Sequence, residues 1–300
     1  MGQSKKMSDR TKATATLQQT PLSYENLDKL YVPLDKNYVR RTKNIRLIPT
    51  EENRRGGKHS YAEWAHTTGI FQTLMFLHLN NKDENRILDV GCGTGLLAIA
   101  SEPYLGAGGR YAGIDVGEQE ITFGRRHFPS ANFEFHHLDA NNSFYSPSQK
   151  NTRLLWPLKD ADFDFVTALS VWTHFNEQDA LFYLQEVRRV LKPGGKAMIT
   201  FFVLDEIYQK TLGMRSDEPG RYHGTSQKSW IFDRPAHGSD AWFCPSWVNV
   251  PEEAIGVTPA GLDRLMATAE LELVEKYRGN WKEVPGVFFQ DILVFQKPCE

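Results

Sequence analysis

Three aspartates, Asp89, Asp115 and Asp139, each close an apolar run, and the first leads directly into Gly91-Cys92-Gly93-Thr94-Gly95. A carboxylate at the end of a buried strand can accept hydrogen bonds from ligand hydroxyls, and glycines in the following turn let the backbone bend tightly and come close to that ligand. A helix beginning at Leu96 would add amide donors at its N-terminus, an arrangement suited to a nucleotide-like molecule. Several cofactor classes share this geometry. The spacing here is G-x-G-x-G rather than G-x-G-x-x-G, and no Gly-Lys-Ser or Gly-Lys-Thr follows it, so a phosphate-gripping loop is disfavoured. Asp89, just before the turn, would repel a pyrophosphate but could organise a cationic amino-acid ligand through water or the loop backbone.

The elements that must position these residues follow from periodicity. Ile87, Leu88 and Val90 read as a strand buried between helical layers. Tyr111 to Asp115 reads as a second strand, Phe133 to Asp139 as a third and Phe163 to Ser170 as a fourth. The helix Glu177 to Leu191 carries an apolar stripe of Ala180, Leu181, Leu184, Val187, Val190 and Leu191. Lys192-Pro193-Gly194-Gly195 stops it, and Lys196 to Leu204 supplies a fifth strand. Strands alternating with helices imply an α/β fold with a mostly parallel sheet, whose ligands sit outside the carboxyl ends of the strands.

With these segments in place, Arg86-Ile87-Leu88-Asp89-Val90-Gly91-Cys92-Gly93-Thr94-Gly95 resembles motif I of the class I methyltransferases, which bind S-adenosylmethionine. The Leu-Lys-Pro-Gly-Gly stop at Leu191 to Gly195 is common in that family. The resemblance is strong from Ile87 to Leu204 and diffuse from Gly56 to Lys297, where the chain is similar to bacterial methyltransferase-domain proteins of the small-molecule and saccharide type. It implies a Rossmann-like, mostly parallel seven-stranded sheet flanked by helices, with Phe288 to Phe295 as its antiparallel strand. It also implies the donor site: the backbone of Gly91, Gly93 and Gly95 with Asp89, the ribose hydroxyls on Asp115 beside Val116, the adenine edge on Asp139 and the Ala140 amide, and Leu169 after the fourth strand. Trp64, on a lead-in helix, could close over the methionine end of the donor.

His174, in Val171-Trp172-Thr173-His174-Phe175 after the fourth strand, is the candidate base. Its near-neutral reference pKa lets it take a proton from a hydroxyl or a protonated amine as the methyl group moves, and a capping role is the competing reading. In-line methyl transfer needs orientation and exclusion of water more than an electrophilic metal. Cys92, Cys244 and Cys299 lie far apart and form neither a zinc signature nor a disulfide framework, so no metal is expected.

The acceptor side must come from additions to the core. Tyr61 on the lead-in helix, Asn142 and Tyr145 in the long connection after Asp139, and Trp172 are candidate acceptor contacts. A larger insertion, about Asp205 to Pro259, carries Tyr208, Tyr222, Trp230, Phe232, Trp242, Phe243 and Trp247. Those aromatics read either as a cap over a pocket, with His223 and Trp242 facing the acceptor, or as the small core of the cap itself. His223, Arg234 and His237 could receive a polar or anionic acceptor.

A length of 300 residues suits one catalytic domain with embellishments, here a flexible tail and lead-in over 1–55 and a domain over 56–300. The formal net charge of -2 lacks the basicity of a nonspecific nucleic-acid binder, and Arg40-Arg41-Thr42-Lys43 and Arg54-Arg55 do not supply a repeated basic and aromatic pattern. No secretory signal or membrane span is legible, so a cytoplasmic location is expected. Gly2 with Lys5 and Lys6 forms an imperfect myristoylation motif. A homo-oligomer stays open. The sequence thus points to methyl transfer from S-adenosylmethionine to a hydroxyl of a small molecule or saccharide. The alternatives are N-methylation, an RNA acceptor, a catalytically silent binding protein and, against the aspartate pattern, a nicotinamide dehydrogenase.

Overall fold

Alternating short helices and β-branched or aromatic runs fold here as sequence periodicity requires: strands carrying Ile87, Leu88, Tyr111, Phe135, Phe165 and Ile199 stack their side chains between helical layers. A computed structural model describes residues 43–140 and 153–299. The candidate contacts Asn142 and Tyr145, and the tail before residue 43, lie outside them. The chain divides into two units, one ending at Thr67 and the other beginning at Thr68. The division falls within helix α1 (Tyr61–His78).

The second unit holds the sheet. Its strands are β1 (Arg86–Val90), β2 (Arg110–Asp115), β3 (Phe133–His137), β4 (Phe163–Ala168) and β5 (Leu191–Val203). Between them run α2 (Leu96–Ser101), α3 (Glu118–His127) and α4 (Glu177–Val190). The order β3-β2-β1-β4-β5 is parallel throughout, with Leu88 opposite Ala112 on one side and Val166 on the other. Asn176 caps α4, its side chain accepting the Asp179 N–H at 3.0 Å.

β5 is long enough to belong to two sheets. Along Lys196 to Phe201 it pairs antiparallel with β10 (Asp291–Gln296), which in turn pairs with the edge strand β9 (Glu272–Tyr277). The family-implied antiparallel strand is therefore in place, and seven strands form the core. At its end Phe202 and Val203 pair with β8 (Gly256–Val257), which continues into β7 (Trp242–Pro245) and β6 (Phe232–Pro235). The complete mixed sheet has ten strands. The insertion also carries α5 (Glu206–Leu212) and is followed by α6 (Pro259–Ala269).

Two boundary expectations are corrected. The third strand stops at His137 because the chain turns tightly at its exit, the Ala140 N–H bonding to the Leu138 carbonyl at 2.7 Å. The fifth strand begins at Leu191 instead of Lys196, since Leu191 already pairs with Phe163 across a register shift. The aromatic insertion likewise has no separate core. Tyr208, Phe232 and Trp242 are buried in the same apolar cluster as Val187, Ile199 and Phe202, so the insertion is packed as an extension of the sheet.

Candidate functional site

The strand order sets the carboxyl ends of β3, β2, β1 and β4 side by side, and every loop expected to carry donor chemistry leaves from that edge. Gly91, Gly93 and Gly95 all have positive φ, at 68°, 51° and 92°. At Gly91 a side chain would overlap Val171, so the turn packs only because none is present. Gly93 is different: nothing lies within 4 Å of where its Cβ would be, which leaves the backbone open to an approaching ligand.

Asp115 fastens that turn to the end of β2. Its Oδ2 accepts the Gly93 N–H at 2.7 Å and its Oδ1 accepts the Gly117 N–H at 2.8 Å. Burial raises its pKa, and backbone donors, Gly117 and Gly93 foremost, pull the other way. Each oxygen keeps a lone pair for a further donor, as binding a diol requires. Val116 is half-buried next to it, its carbonyl within 3.1 Å of His137 Nε2.

Asp89 lies deeper. Its oxygens accept from Tyr111 Oη on β2 at 2.7 Å and from Thr167 Oγ1, its register partner on β4, at 2.9 Å. Burial pushes its pKa up to about 7 despite those hydrogen bonds. Its position behind the turn fits an influence on a ligand exerted through the loop backbone. At the β3 exit Asp139 is exposed, and Ala140 is buried with its N–H directed to Leu138.

His174 sits in a short 3-10 turn, Trp172–His174, after β4. Its Nδ1 is 2.7 Å from the Glu252 carbonyl. A carbonyl only accepts, so Nδ1 carries the proton of the neutral ring and Nε2 carries the lone pair. Nε2 is directed towards Ser170 Oγ, 3.5 Å away. Burial lowers the His174 pKa, with the Glu252 carbonyl opposing it, so the ring is held in the form a base needs.

Ser170, four residues earlier, enters the sequence reading only as the last residue of the fourth strand. It adopts a left-handed conformation, φ 60°, rare for a residue with a side chain. The Thr200 hydroxyl accepts its N–H at 2.7 Å, and Gln290 Nε2 donates to its Oγ at 2.9 Å. Gln290 is buried and its Oε1 has no hydrogen-bond partner. A strained serine beside a histidine lone pair and an unsatisfied amide oxygen is a polar knot at the mouth of β4.

The other expected residues have the following surroundings. Trp172 is in the apolar core, its indole N–H donating to the Ala180 carbonyl at 3.3 Å and its ring edge-on to Phe175. Trp242 is also buried in the core, beneath the Arg264 guanidinium. Both tryptophans are corrected from acceptor contacts to packing residues, because each has its full surface covered by the protein. Leu169 is half-buried at the end of β4. Tyr61 and Trp64 belong to the first unit, where the Trp64 indole N–H donates to the Lys58 carbonyl at 3.0 Å and Tyr61 Oη to the Ile45 carbonyl at 3.4 Å. His223 pairs with Glu283 and Thr225, His237 with Glu252, and Arg234 with Cys244 and the Val248 carbonyl. Among the described residues no group of three or more His, Cys, Asp or Glu could hold a metal ion, and no helix is long and apolar enough to cross a membrane.

Residues 87–195 match a family model described as a methyltransferase domain. They hold the glycine turn, Asp89, Asp115, Asp139 and His174. This region is a class I methyltransferase domain. The domain is similar to the demethylmenaquinone methyltransferase of Staphylococcus saprophyticus, 33% identical over 118 residues, or 39% of this chain and 44% of that protein. The chain thus spans less than half the length of that curated relative. An S-adenosylmethionine-dependent methyltransferase from Mesorhizobium loti shares the fold at 16% identity, with a TM-score of 0.50 over 75% of this chain and 96% of that one. The cyclase SpnF shares it at 17% identity and the same TM-score of 0.50, over 83% and 86%. The methyltransferase domain accounts for β1 through the start of β5. The cap strands β6 to β8 and the closing segment before β10 lie outside the matched model.

Proposed function

We propose that this chain binds S-adenosylmethionine across the carboxyl ends of β1 to β4 and catalyses methyl transfer to a hydroxyl of a small molecule or saccharide, with His174 as the base. The observation that carries this reading is the fixed tautomer of His174, which turns the Nε2 lone pair towards Ser170 at the exit of β4. The donor, when bound, supplies an electrophilic methyl carbon on a sulfonium sulfur.

The residues of this chain do the rest. The Gly91 to Gly95 backbone receives the amino-acid end, with Asp89 behind it favouring a positive charge. Asp115 accepts the ribose hydroxyls beside Val116, Asp139 meets the adenine edge once the Ala140 N–H turns from the Leu138 carbonyl to join it, and Leu169 lines the space between. His174 Nε2 takes the acceptor proton as the oxygen–methyl bond forms and the sulfur–methyl bond breaks, while Nδ1–H stays anchored on Glu252.

Loss of the Asp115 carboxylate removes both the ribose contacts and the tie to Gly93. Each hydrogen bond to a charged group contributes about 1.5–3 kcal/mol, so losing two of them in Asp115→Ala is expected to weaken S-adenosylmethionine binding about 100-fold or more by calorimetry. Unchanged affinity would show that the donor does not sit at the end of β2.

A second reading is favoured by the relative named demethylmenaquinone methyltransferase. The same base could remove a phenolic proton from a quinol-type ring and direct the methyl group to the adjacent ring carbon. Position of the new methyl group in the product, read by NMR, separates oxygen from carbon transfer.

A further inference from the structure

Outside the donor site, the cap brings together a hydroxyl, an imidazole and a carboxylate. His223 Nε2 is 2.8 Å from Glu283 Oε1, and His223 Nδ1 is 2.9 Å from Thr225 Oγ1. The ionised Glu283 only accepts, so in the neutral ring Nε2 carries the proton and Nδ1 presents its lone pair to the Thr225 O–H. The Trp230 indole N–H also donates to Thr225 Oγ1, at 2.8 Å. The hydroxyl oxygen therefore gives its proton towards a base while receiving a positive N–H dipole, the two influences that favour alkoxide character.

Burial is graded along this chain of groups. The His223 and Glu283 side chains are only 7% and 15% exposed, whereas Thr225 is exposed. Gly224, its neighbour, has nothing within 4 Å of where a side chain would be, so the backbone between His223 and Thr225 is uncovered. Gly220 makes the room for the pair: a side chain there would overlap the His223 ring. Glu283 is itself fixed, in a left-handed conformation with Oε2 accepting the Arg221 N–H at 3.1 Å, and Phe289 packs edge-on to the imidazole.

We propose that Thr225, His223 and Glu283 form a nucleophile, base and orienting acid, and that Thr225 accepts acyl groups from activated esters. A bond forms between Thr225 Oγ and the acyl carbon, the bond from that carbon to the leaving oxygen breaks, and the Thr225 proton passes to His223 Nδ1. The imidazolium is held by Glu283 until it returns the proton to the departing oxygen or to water. This site is independent of methyl transfer.

The test is incubation of the full chain with p-nitrophenyl acetate, reading p-nitrophenolate release and the acetylated residues by peptide mass spectrometry. Thr73, exposed on α1 with its hydroxyl donating to the Gly69 carbonyl at 2.9 Å, serves as an unactivated internal reference. General-base assistance predicts acetylation of Thr225 about 100-fold or more faster than of Thr73, with most of that advantage lost in His223→Gln and in Glu283→Gln. His223→Gln can keep an amide donor towards Glu283, and its circular dichroism should match the parent chain. Acetylation of Thr225 no faster than Thr73, or unaffected by either substitution, would overturn the proposal.

Discussion

Replacing His174 with Gln is expected to lower methyl transfer about 10²- to 10⁴-fold at neutral pH while S-adenosylmethionine affinity stays within about twofold. Gln can retain the hydrogen bond to the Glu252 carbonyl, so the 3-10 turn keeps its place, but it has no lone pair on a basic nitrogen to receive the proton. The loss should therefore fall on kcat. In the parent chain the acid limb of the pH profile should lie below the ordinary histidine value of 6.5, because burial lowers the His174 pKa. In the variant that limb should vanish. The same shift carries a stability consequence: a pKa lower in the folded chain than in the unfolded one means stability is present above pH 6.5 and is lost as pH falls through the folded value. Unchanged turnover in the variant would remove His174 from the mechanism.

The second large effect is on stability. Lys282→Met should cost about 3–5 kcal/mol, because it leaves a buried carboxylate without its cation. Lys282 is fully buried, with Nζ 2.9 Å from Asp205 Oδ2 and 2.8 Å from Asp291 Oδ1. Asp291 is equally buried and also accepts from the Val203 N–H, the Gly279 N–H and the Trp281 indole, so it ties β5, the closing segment and β10 at one point. Asp205 caps α5 and shares its Oδ2 with Lys276. Burial raises the Asp205 pKa, but hydrogen bonds from Lys276 and Lys282 outweigh it and hold the value down to about 2. Its contribution is present above pH 3.8 and disappears as pH falls through about 2. Thermal unfolding of Lys282→Met should show a midpoint lower by on the order of 10 °C. A shift of only a degree or two would mean that the cluster is solvated and contributes little.

How far the sequence reveals this molecule depends on the range of the signal. Asp115 was legible because Tyr111, Ala112 and Ile114 form a buried run that ends at it, and a parallel sheet places such an end beside its neighbours. Asp139 was legible as a residue but not as a strand end. Leu138 prolongs the apolar pattern, while the turn at Ala140 rests on a backbone hydrogen bond that periodicity does not encode. Trp172 and Trp242 show a different limit, since an aromatic side chain satisfies a pocket wall and a core equally well until its neighbours are known.

Contacts across long separations were the least legible. His223 and Glu283 are far apart in the chain, and Thr225 looks like any polar loop residue, so their meeting depends on how the cap is laid over the closing segment. Ser170 reads as the last residue of an apolar strand. Its left-handed backbone, which turns the hydroxyl towards His174 and Gln290, is set by the Thr200 bond and the packing of the turn after β4.

The central claim is that the carboxyl ends of β1 to β4 receive S-adenosylmethionine. Calorimetric titration of the purified chain with that compound, with NADH as the comparison ligand, tests it most directly. Saturable binding of S-adenosylmethionine with no heat from NADH is the predicted result. Absence of S-adenosylmethionine binding, or a preference for NADH, would contradict the account.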